Sequence, residues 1–71
     1  MKQINYSEIK DLPFGTNIVV HIKMDYPYNR DETYNAVIIR DNIYYEDGKV
    51  DKVDVISEYM YNGCTEVFLK T

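Results

Sequence analysis

Few residues of this chain could act as a nucleophile, a base or a metal ligand. The chain has 71 residues, with one histidine, His21, and one cysteine, Cys64. A cysteine nucleophile needs a base beside it, and a metal bound by His21 would need carboxylates as its other ligands. Nothing in the sequence brings His21 and Cys64 together. We therefore expect no catalytic dyad, no metal site and no cofactor, and a lone cysteine excludes an internal disulfide.

Acidic residues are the second group that could do chemistry. They occur in pairs, which are Asp31-Glu32, Glu46-Asp47, and Asp54 with Glu58. Paired carboxylates perform general acid–base catalysis only where a pocket raises one of the two pKa values, and acids in turns or on solvated faces do not meet that condition. Glycine-rich phosphate loops, zinc motifs and nucleophile elbows are absent from the sequence. The sequence predicts a protein that is not an enzyme.

The net charge of −4 is unevenly distributed along the chain. Residues 1–40 hold five basic and five acidic residues, whereas residues 41–71 hold three basic and seven acidic residues. Proteins bind nucleic acid by neutralising phosphates with lysine and arginine, so we expect a protein partner with a basic surface and no direct nucleic-acid contact. No stretch resembles a signal peptide or a membrane span, which predicts a cytoplasmic protein without a membrane partner.

The apolar residues indicate a mainly β fold. The chain has eight Ile, seven Val and eight Tyr, against two Leu and one Ala, and β-branched and aromatic side chains suit strands. Residues 17–24 alternate, with Ile18, Val20, Ile22 and Met24 on one side, which predicts a strand, and residues 34–40 follow as a second strand. Ser7 is expected to cap a short helical turn over residues 7–12.

Two turn signals predict a three-stranded meander after residue 34. If Asp41-Asn42 and Asp47-Gly48 are two-residue hairpin turns, the strands pair in one defined register. The face turned to the core then carries Ile38, Tyr45 and Val50. The opposite face carries Tyr44, Glu46, Lys49 and Asp51. Adjacent tyrosines in a strand point to opposite sides, so Tyr45 is expected in the core and Tyr44 on the surface.

Residues 51–61 allow two interpretations, and both place Asp54 and Glu58 away from the apolar side. An amphipathic helix fits the spacing, but the β-branched content and the Asn62-Gly63 dipeptide favour a strand and a tight turn. The predicted fold is one domain, residues 1–71, mainly β, with a small five-stranded antiparallel sheet or a small open barrel. The alternative is an α+β fold with a helix at 51–61.

Tyrosines and surface acids predict a contact surface. Tyrosine supplies a large contact area at a low cost in side-chain entropy, and three tyrosines flank the polar loop around Pro27. Carboxylates displayed along a strand or helix would complete such a surface. The candidate partner-binding residues are Tyr26, Tyr28, Tyr34, Tyr44, Glu46, Asp47, Asp51, Asp54 and Glu58.

Two resemblances add to this interpretation. The stretch IKDLPFGTNIVV resembles the start of SH3-like barrels, where a turn that contains glycine precedes the first long strand. The stretch MDYPYNRDETY is similar to the tyrosine- and acid-bearing loop of signalling SH3 domains. This likeness implies a structural or accessory module in a larger or homo-oligomeric assembly, a homodimer included. In general character, a small acidic chain without catalytic residues resembles phage-encoded anti-defence proteins such as anti-CRISPR inhibitors. That likeness implies a non-catalytic inhibitor that covers a basic surface of a host nucleic-acid-processing or defence enzyme in the host cytoplasm.

Overall fold

The computed structural model describes residues 1–70, which form one antiparallel sheet with a helix on one face. The strands are β1 Lys2–Ile4, β2 Thr16–Met24, β3 Arg30–Ile39, β4 Asn42–Tyr45, β5 Val50–Lys52 and β6 Thr65–Leu69. A 3₁₀ turn covers Ile9–Asp11 and the helix α1 covers Val53–Tyr61. The prediction of a mainly β fold is confirmed, with six strands within residues 1–70 where five were expected.

The strand order is β1-β6-β2-β3-β4-β5. Strands β2 to β5 form a meander, and α1 then carries the chain back across one face so that β6 pairs with β2. Of the two arrangements expected, the antiparallel sheet is the one found. The sheet stays open because β1 and β5 form its two edges and do not pair with each other.

The core lies between one face of the sheet, here called the inner face, and the elements that cover it, α1 and the 3₁₀ turn. The alternation predicted for β2 is confirmed, because Ile18, Val20 and Ile22 are buried on this face. Helix α1 contributes Ile56, which has no exposed surface, and Tyr45 is buried as expected. No helix within residues 1–70 is long and apolar enough to cross a membrane.

The strand interpretation of residues 51–61 is wrong beyond Lys52, where helix α1 begins. The Asn-Gly dipeptide ends this helix instead of closing a hairpin. Gly63 has a positive φ of 79°, and its N–H donates to the Met60 carbonyl. The N–H of Cys64 donates to the Tyr59 carbonyl at 2.9 Å. These two bonds form a Schellman motif, which requires a left-handed residue just as a tight hairpin does.

The β4–β5 hairpin has a different turn from the predicted one. Its loop has three residues and ends with Gly48 at φ 92°, while the Tyr45 N–H donates to the Lys49 carbonyl. The extra residue moves the register by one, and a one-residue slip sends each side chain of β5 to the other face. The predicted faces of three residues are therefore wrong. Val50 is exposed on the face of Tyr44, whereas Lys49 and Asp51 lie on the inner face.

Two smaller corrections concern the first hairpin turn and the N-terminal cap. Ile39 pairs with Asn42, so the β3–β4 turn is Arg40-Asp41, with Arg40 at φ 57°. This register differs from the predicted one by two residues, which leaves the faces unchanged. The short helical turn is present as expected, but the residue that organises it is not Ser7. The side-chain oxygen of Asn5 accepts bonds from the N–H groups of Ser7 and Glu8.

Candidate protein-binding surface

Three tyrosines from two elements meet at one cleft, here called the tyrosine cleft. Tyr26 and Tyr28 come from the loop between β2 and β3, and Tyr59 comes from helix α1. The cleft has a volume of about 600 Å³. Tyr26 is 87% exposed and Tyr28 is 72% exposed. Large aromatic side chains held in the open beside a concavity are typical of a contact surface.

The β2–β3 loop has a defined backbone that carries these side chains. The carbonyl of Asp25 accepts bonds from the N–H groups of Tyr28 and Asn29, at 3.0 and 3.1 Å. Asn29 has a positive φ of 48°, a conformation that asparagine tolerates better than most residues. The loop thus forms a compact turn from which Tyr26 and Tyr28 project.

The charged residues near the cleft differ in whether they form an ion pair. Lys23 and Arg30 line the cleft, but each is engaged elsewhere. The Lys23 Nζ lies 3.6 Å from Glu66 and the Arg30 Nε lies 2.7 Å from Glu32. Within residues 1–70, no ion pair involves Asp25, which lines the cleft, or Glu58, which precedes Tyr59. Of the charged residues that line the cleft, Asp25 is therefore the one without an ion-pair partner in the 1–70 region.

Tyr34, a predicted contact residue, lies apart from this cleft. Its ring packs against Tyr45 on the inner face, with 5.3 Å between ring centroids. Its hydroxyl donates to the carboxylate of Glu32, and this bond raises the pKa of Tyr34. Arg30 and Tyr34 both donate to Glu32, so the pKa of that carboxyl is lowered, chiefly by Arg30. Tyr34 is half-buried, and it serves the packing of the sheet.

The three acids predicted around helix α1 do not form one row. Asp54 and Glu58 are exposed on the same side of the helix, as the sequence predicted. The Asp54 carboxylate forms an ion pair with Lys10, with 3.2 Å between the Lys10 Nζ and the Asp54 Oδ1. Asp51 lies on the inner face and accepts a bond of 2.8 Å from the Tyr45 hydroxyl. The pKa of Tyr45 is raised, first by burial and then by this bond.

The remaining predicted contact residues lie at the β4–β5 hairpin. Tyr44 is on the face that carries no helix within residues 1–70, here called the open face. Glu46 accepts bonds from Asn35 on the same face. Asp47 accepts a bond from the N–H of Lys49 inside its own turn. The nine predicted residues thus occupy four places, which are the tyrosine cleft, the inner face, helix α1 and the β4–β5 hairpin. The structure brings Tyr26 and Tyr28 together at the cleft. Glu58 is adjacent in sequence to Tyr59, which lines the same cleft.

His21 lies in a cluster of charged residues on the open face that the sequence did not reveal. Its Nε2 is 2.6 Å from Asp31 and its Nδ1 is 3.2 Å from Glu66. Both ring nitrogens face carboxylates, and they donate to both when the ring is protonated. The pKa of His21 is raised, mainly by the hydrogen bond to Asp31. No three of the His, Cys, Asp and Glu residues in the 1–70 region form a group that could hold a metal ion.

The excess negative charge is concentrated away from the open face. The charged side chains of the open face are balanced, with Asp31, Glu46 and Glu66 against Lys23, Lys52 and Lys70. The chain has twelve acidic and eight basic residues. The helix side and the edges therefore hold nine acidic and five basic residues, which is the whole net charge of −4.

These features define a small antiparallel β domain with one packed helix and a tyrosine cleft on the helix side. Comparison with protein-family models, curated proteins and solved structures found no match to this chain.

Proposed function

We propose that this protein is a non-catalytic binding protein that covers a basic surface of a macromolecular partner. The observation that carries the proposal is the tyrosine cleft, in which Tyr26 and Tyr28 are 87% and 72% exposed. Tyrosine is enriched among the interface residues that contribute most to binding, where its ring fills a pocket of the partner. The cleft and its rim form the proposed contact surface.

The charge of the helix side supports a basic partner. The helix side and the edges hold the entire net negative charge. Neither Asp25, which lines the cleft, nor Glu58 on helix α1 has an ion-pair partner within residues 1–70. Complementary charge raises the rate of association and excludes wrong partners, whereas aromatic packing sets the dissociation rate. The two parts of the surface thus have different roles in binding.

The partner class that this chemistry favours is a nucleic-acid-processing or defence enzyme. Such enzymes carry basic surfaces because they neutralise phosphates, and an acidic protein competes for those surfaces without contacting nucleic acid. The general likeness to small phage-encoded anti-defence inhibitors agrees with this assignment. The site of action would then be the host cytoplasm.

A capture experiment with matched tyrosine variants tests the proposal. The tagged protein is incubated with nuclease-treated host lysate at about 0.1 M and about 0.5 M salt, concentrations that differ strongly in screening. We expect the wild type to retain a basic nucleic-acid enzyme at low salt, and the double variant Tyr26→Ala/Tyr28→Ala to lose at least about tenfold in retention. The control is Tyr6→Ala/Tyr61→Ala, which removes another exposed tyrosine pair, in edge-to-face contact at 5.0 Å.

Three outcomes would contradict the proposal. One is equal retention by the cleft variant and the wild type. Another is equal loss in the two double variants, which would indicate a general effect of removing surface tyrosines. The third is retention that does not weaken at high salt, because a contact between opposite charges at a surface is screened by salt.

A further inference from the structure

The open face carries an apolar strip where a solvated sheet face would carry polar residues. Val37, Tyr44 and Val50 are direct neighbours across strands β3, β4 and β5. Ile39 lies two residues further along β3 on the same face. Val50 is 49% exposed, Ile39 is 43% exposed and Tyr44 is 39% exposed. Antiparallel sheets with one face in water normally alternate apolar and polar residues, so this strip is a contiguous departure from that rule.

A shallow depression adjoins the strip. It has a volume of about 280 Å³, and Val37 and Tyr44 line it together with Asn17 and Asn35. An apolar strip that adjoins a depression suits a self-complementary contact, because apolar side chains of one copy can enter the depression of the other. In a two-fold symmetric contact, each residue pair occurs twice.

The charge distribution selects a second copy of this chain as the occupant. The open face has equal numbers of acidic and basic residues, whereas the helix side and the edges together have nine acidic and five basic residues. Two copies that approached through their helix sides would repel each other, and a basic partner would find no attraction on the open face. The open face is the surface on which two copies of an acidic chain can meet without like-charge repulsion.

The dimensions of the open face set an upper limit on the contact area. Neighbouring strands lie about 4.8 Å apart and residues rise about 3.3 Å along a strand, so the five neighbouring strands from β6 to β5, over about five residues each, cover roughly 400 Å². That area on each copy gives roughly 800 Å² in total, which falls in the size class of weak and transient complexes. Two sheets packed face to face lie about 10 Å apart, with side chains between them.

We propose that the open face binds a second copy of this chain through the strip of Val37, Ile39, Tyr44 and Val50, giving a weak, reversible, two-fold symmetric dimer. The cluster of His21, Asp31 and Glu66 lies further along the sheet and stays at the polar rim of the contact. The tyrosine cleft lies on the helix side and stays free in the dimer. Each dimer therefore presents two clefts.

Sedimentation equilibrium tests the dimer with two substitutions of the same kind. The wild type, Val50→Glu and Val55→Glu are measured over about 5 to 500 µM, a range that brackets micromolar dissociation constants. Val50 lies in the strip, whereas Val55 lies on helix α1 and is similarly exposed, at 37%. We expect the wild type and Val55→Glu to change from monomer to dimer with concentration. Val50→Glu should weaken the dimer by at least about tenfold, because each copy would place an unpaired carboxylate in an apolar contact.

A folding control, a second strip variant and a change of salt concentration complete the test. Far-UV circular dichroism checks that each variant is folded, and Ile39→Lys serves as a second strip variant if Val50→Glu disturbs strand β5. Salt between about 0.1 and 0.5 M should not weaken dimerisation, since the two open faces carry no net charge and salt screens the repulsion between the acidic remainders of the two copies. A wild type that is monomeric at the highest concentration overturns the proposal and assigns the strip to another kind of partner. Equal weakening by Val50→Glu and Val55→Glu overturns it as well.

Discussion

At the scale of single residues, His21 shows how a side chain acquires its chemistry from strands far away in the sequence. Residue 21 is central in β2, and its carboxylate neighbours come from β3 and β6. Asp31 and Glu66 are ten and 45 residues away along the chain. The alternation within β2 correctly gives the face on which His21 lies. The pairing register, which the sequence did not reveal, decides which groups stand beside it.

The raised pKa of His21 predicts a stability that decreases with increasing pH. The folded protein binds the His21 proton more tightly than the unfolded chain does. In the unfolded chain the pKa of His21 has its ordinary value of 6.5. This contribution is therefore complete below about pH 6.5 and is lost as the pH rises through the higher pKa of the folded state. Urea unfolding at intervals from about pH 6 to pH 9 should show the wild type losing stability relative to His21→Gln.

The neighbouring charges define the control for this experiment. Asp31, Glu66 and Lys23 surround the ring. His21→Gln retains hydrogen bonding without the titration, so any change common to both proteins has another origin. Parallel stability curves for the two proteins would show that His21 contributes no pH dependence. A ring titration followed by NMR should give a midpoint above 6.5.

The contrast between Tyr45 and Asp51 shows which residue-level predictions a sequence supports. Tyr45 is a core residue as predicted, because alternation along a strand depends on the strand alone. Asp51 was predicted on the surface, and it lies on the inner face at 2.8 Å from the Tyr45 hydroxyl. Its position depends on the loop before it. The Asp-Gly dipeptide fits both a two-residue turn and a three-residue loop, and the two differ by one position in register.

At the scale of elements, helix α1 forms from a segment whose residues favour strands. Val53 and Ile56 are β-branched, yet both are buried in the helix against the sheet. Burial on the sheet outweighs helix propensities that differ by less than about 1 kcal/mol per residue. The first turn is also fixed from outside, because the Val53 N–H donates to the Asp41 carbonyl at 2.8 Å. Local pattern therefore left two states open, and tertiary contacts selected the helix.

The end of α1 gives a prediction at this scale. Gly63 has φ 79°, and a Cβ at this position would meet no atom within 4 Å. The cost of Gly63→Ala is therefore conformational, and we expect a loss of about 1 kcal/mol in the free energy of unfolding. Asn62→Ala is the control, because Asn62 has an ordinary φ of −80°. Urea unfolding of both variants measures the difference, and equal stabilities would contradict the Schellman ending.

At the scale of the whole molecule, the fold separates groups that the sequence places close together. Glu46, Asp51 and Glu58 lie within thirteen residues in the chain, yet they lie on the open face, the inner face and the helix. The general prediction of an acidic surface without a catalytic pocket is compatible with this arrangement. The more specific prediction, that carboxylates are displayed along a strand or helix, required the course of the chain through a hairpin, a strand and a helix. That course is a property of the complete fold.

The size of the core leads to a prediction for the molecule as a unit. Small domains bury a modest share of their surface, and one cluster includes buried residues from the sheet, the 3₁₀ turn and α1. Ile56, at 0% exposure, joins the helix to that cluster. Ile56→Ala should lower the free energy of unfolding by about 2–4 kcal/mol, a large part of the 5–15 kcal/mol typical of domains.

Val55, the residue next to Ile56, provides the matched control. The shape of the unfolding transition provides the stronger test. Val55→Ala truncates a side chain that is 37% exposed, so it should cost well under 1 kcal/mol, as surface substitutions do. In Ile56→Ala the helix signal at 222 nm and the near-UV tyrosine signal should still change together, because sheet and helix share one core. A helix signal that is lost at lower urea concentration than the tyrosine signal would mean that α1 is a separable element. The tyrosine cleft would then exist only when the helix is docked, since Tyr59 reaches the cleft from α1.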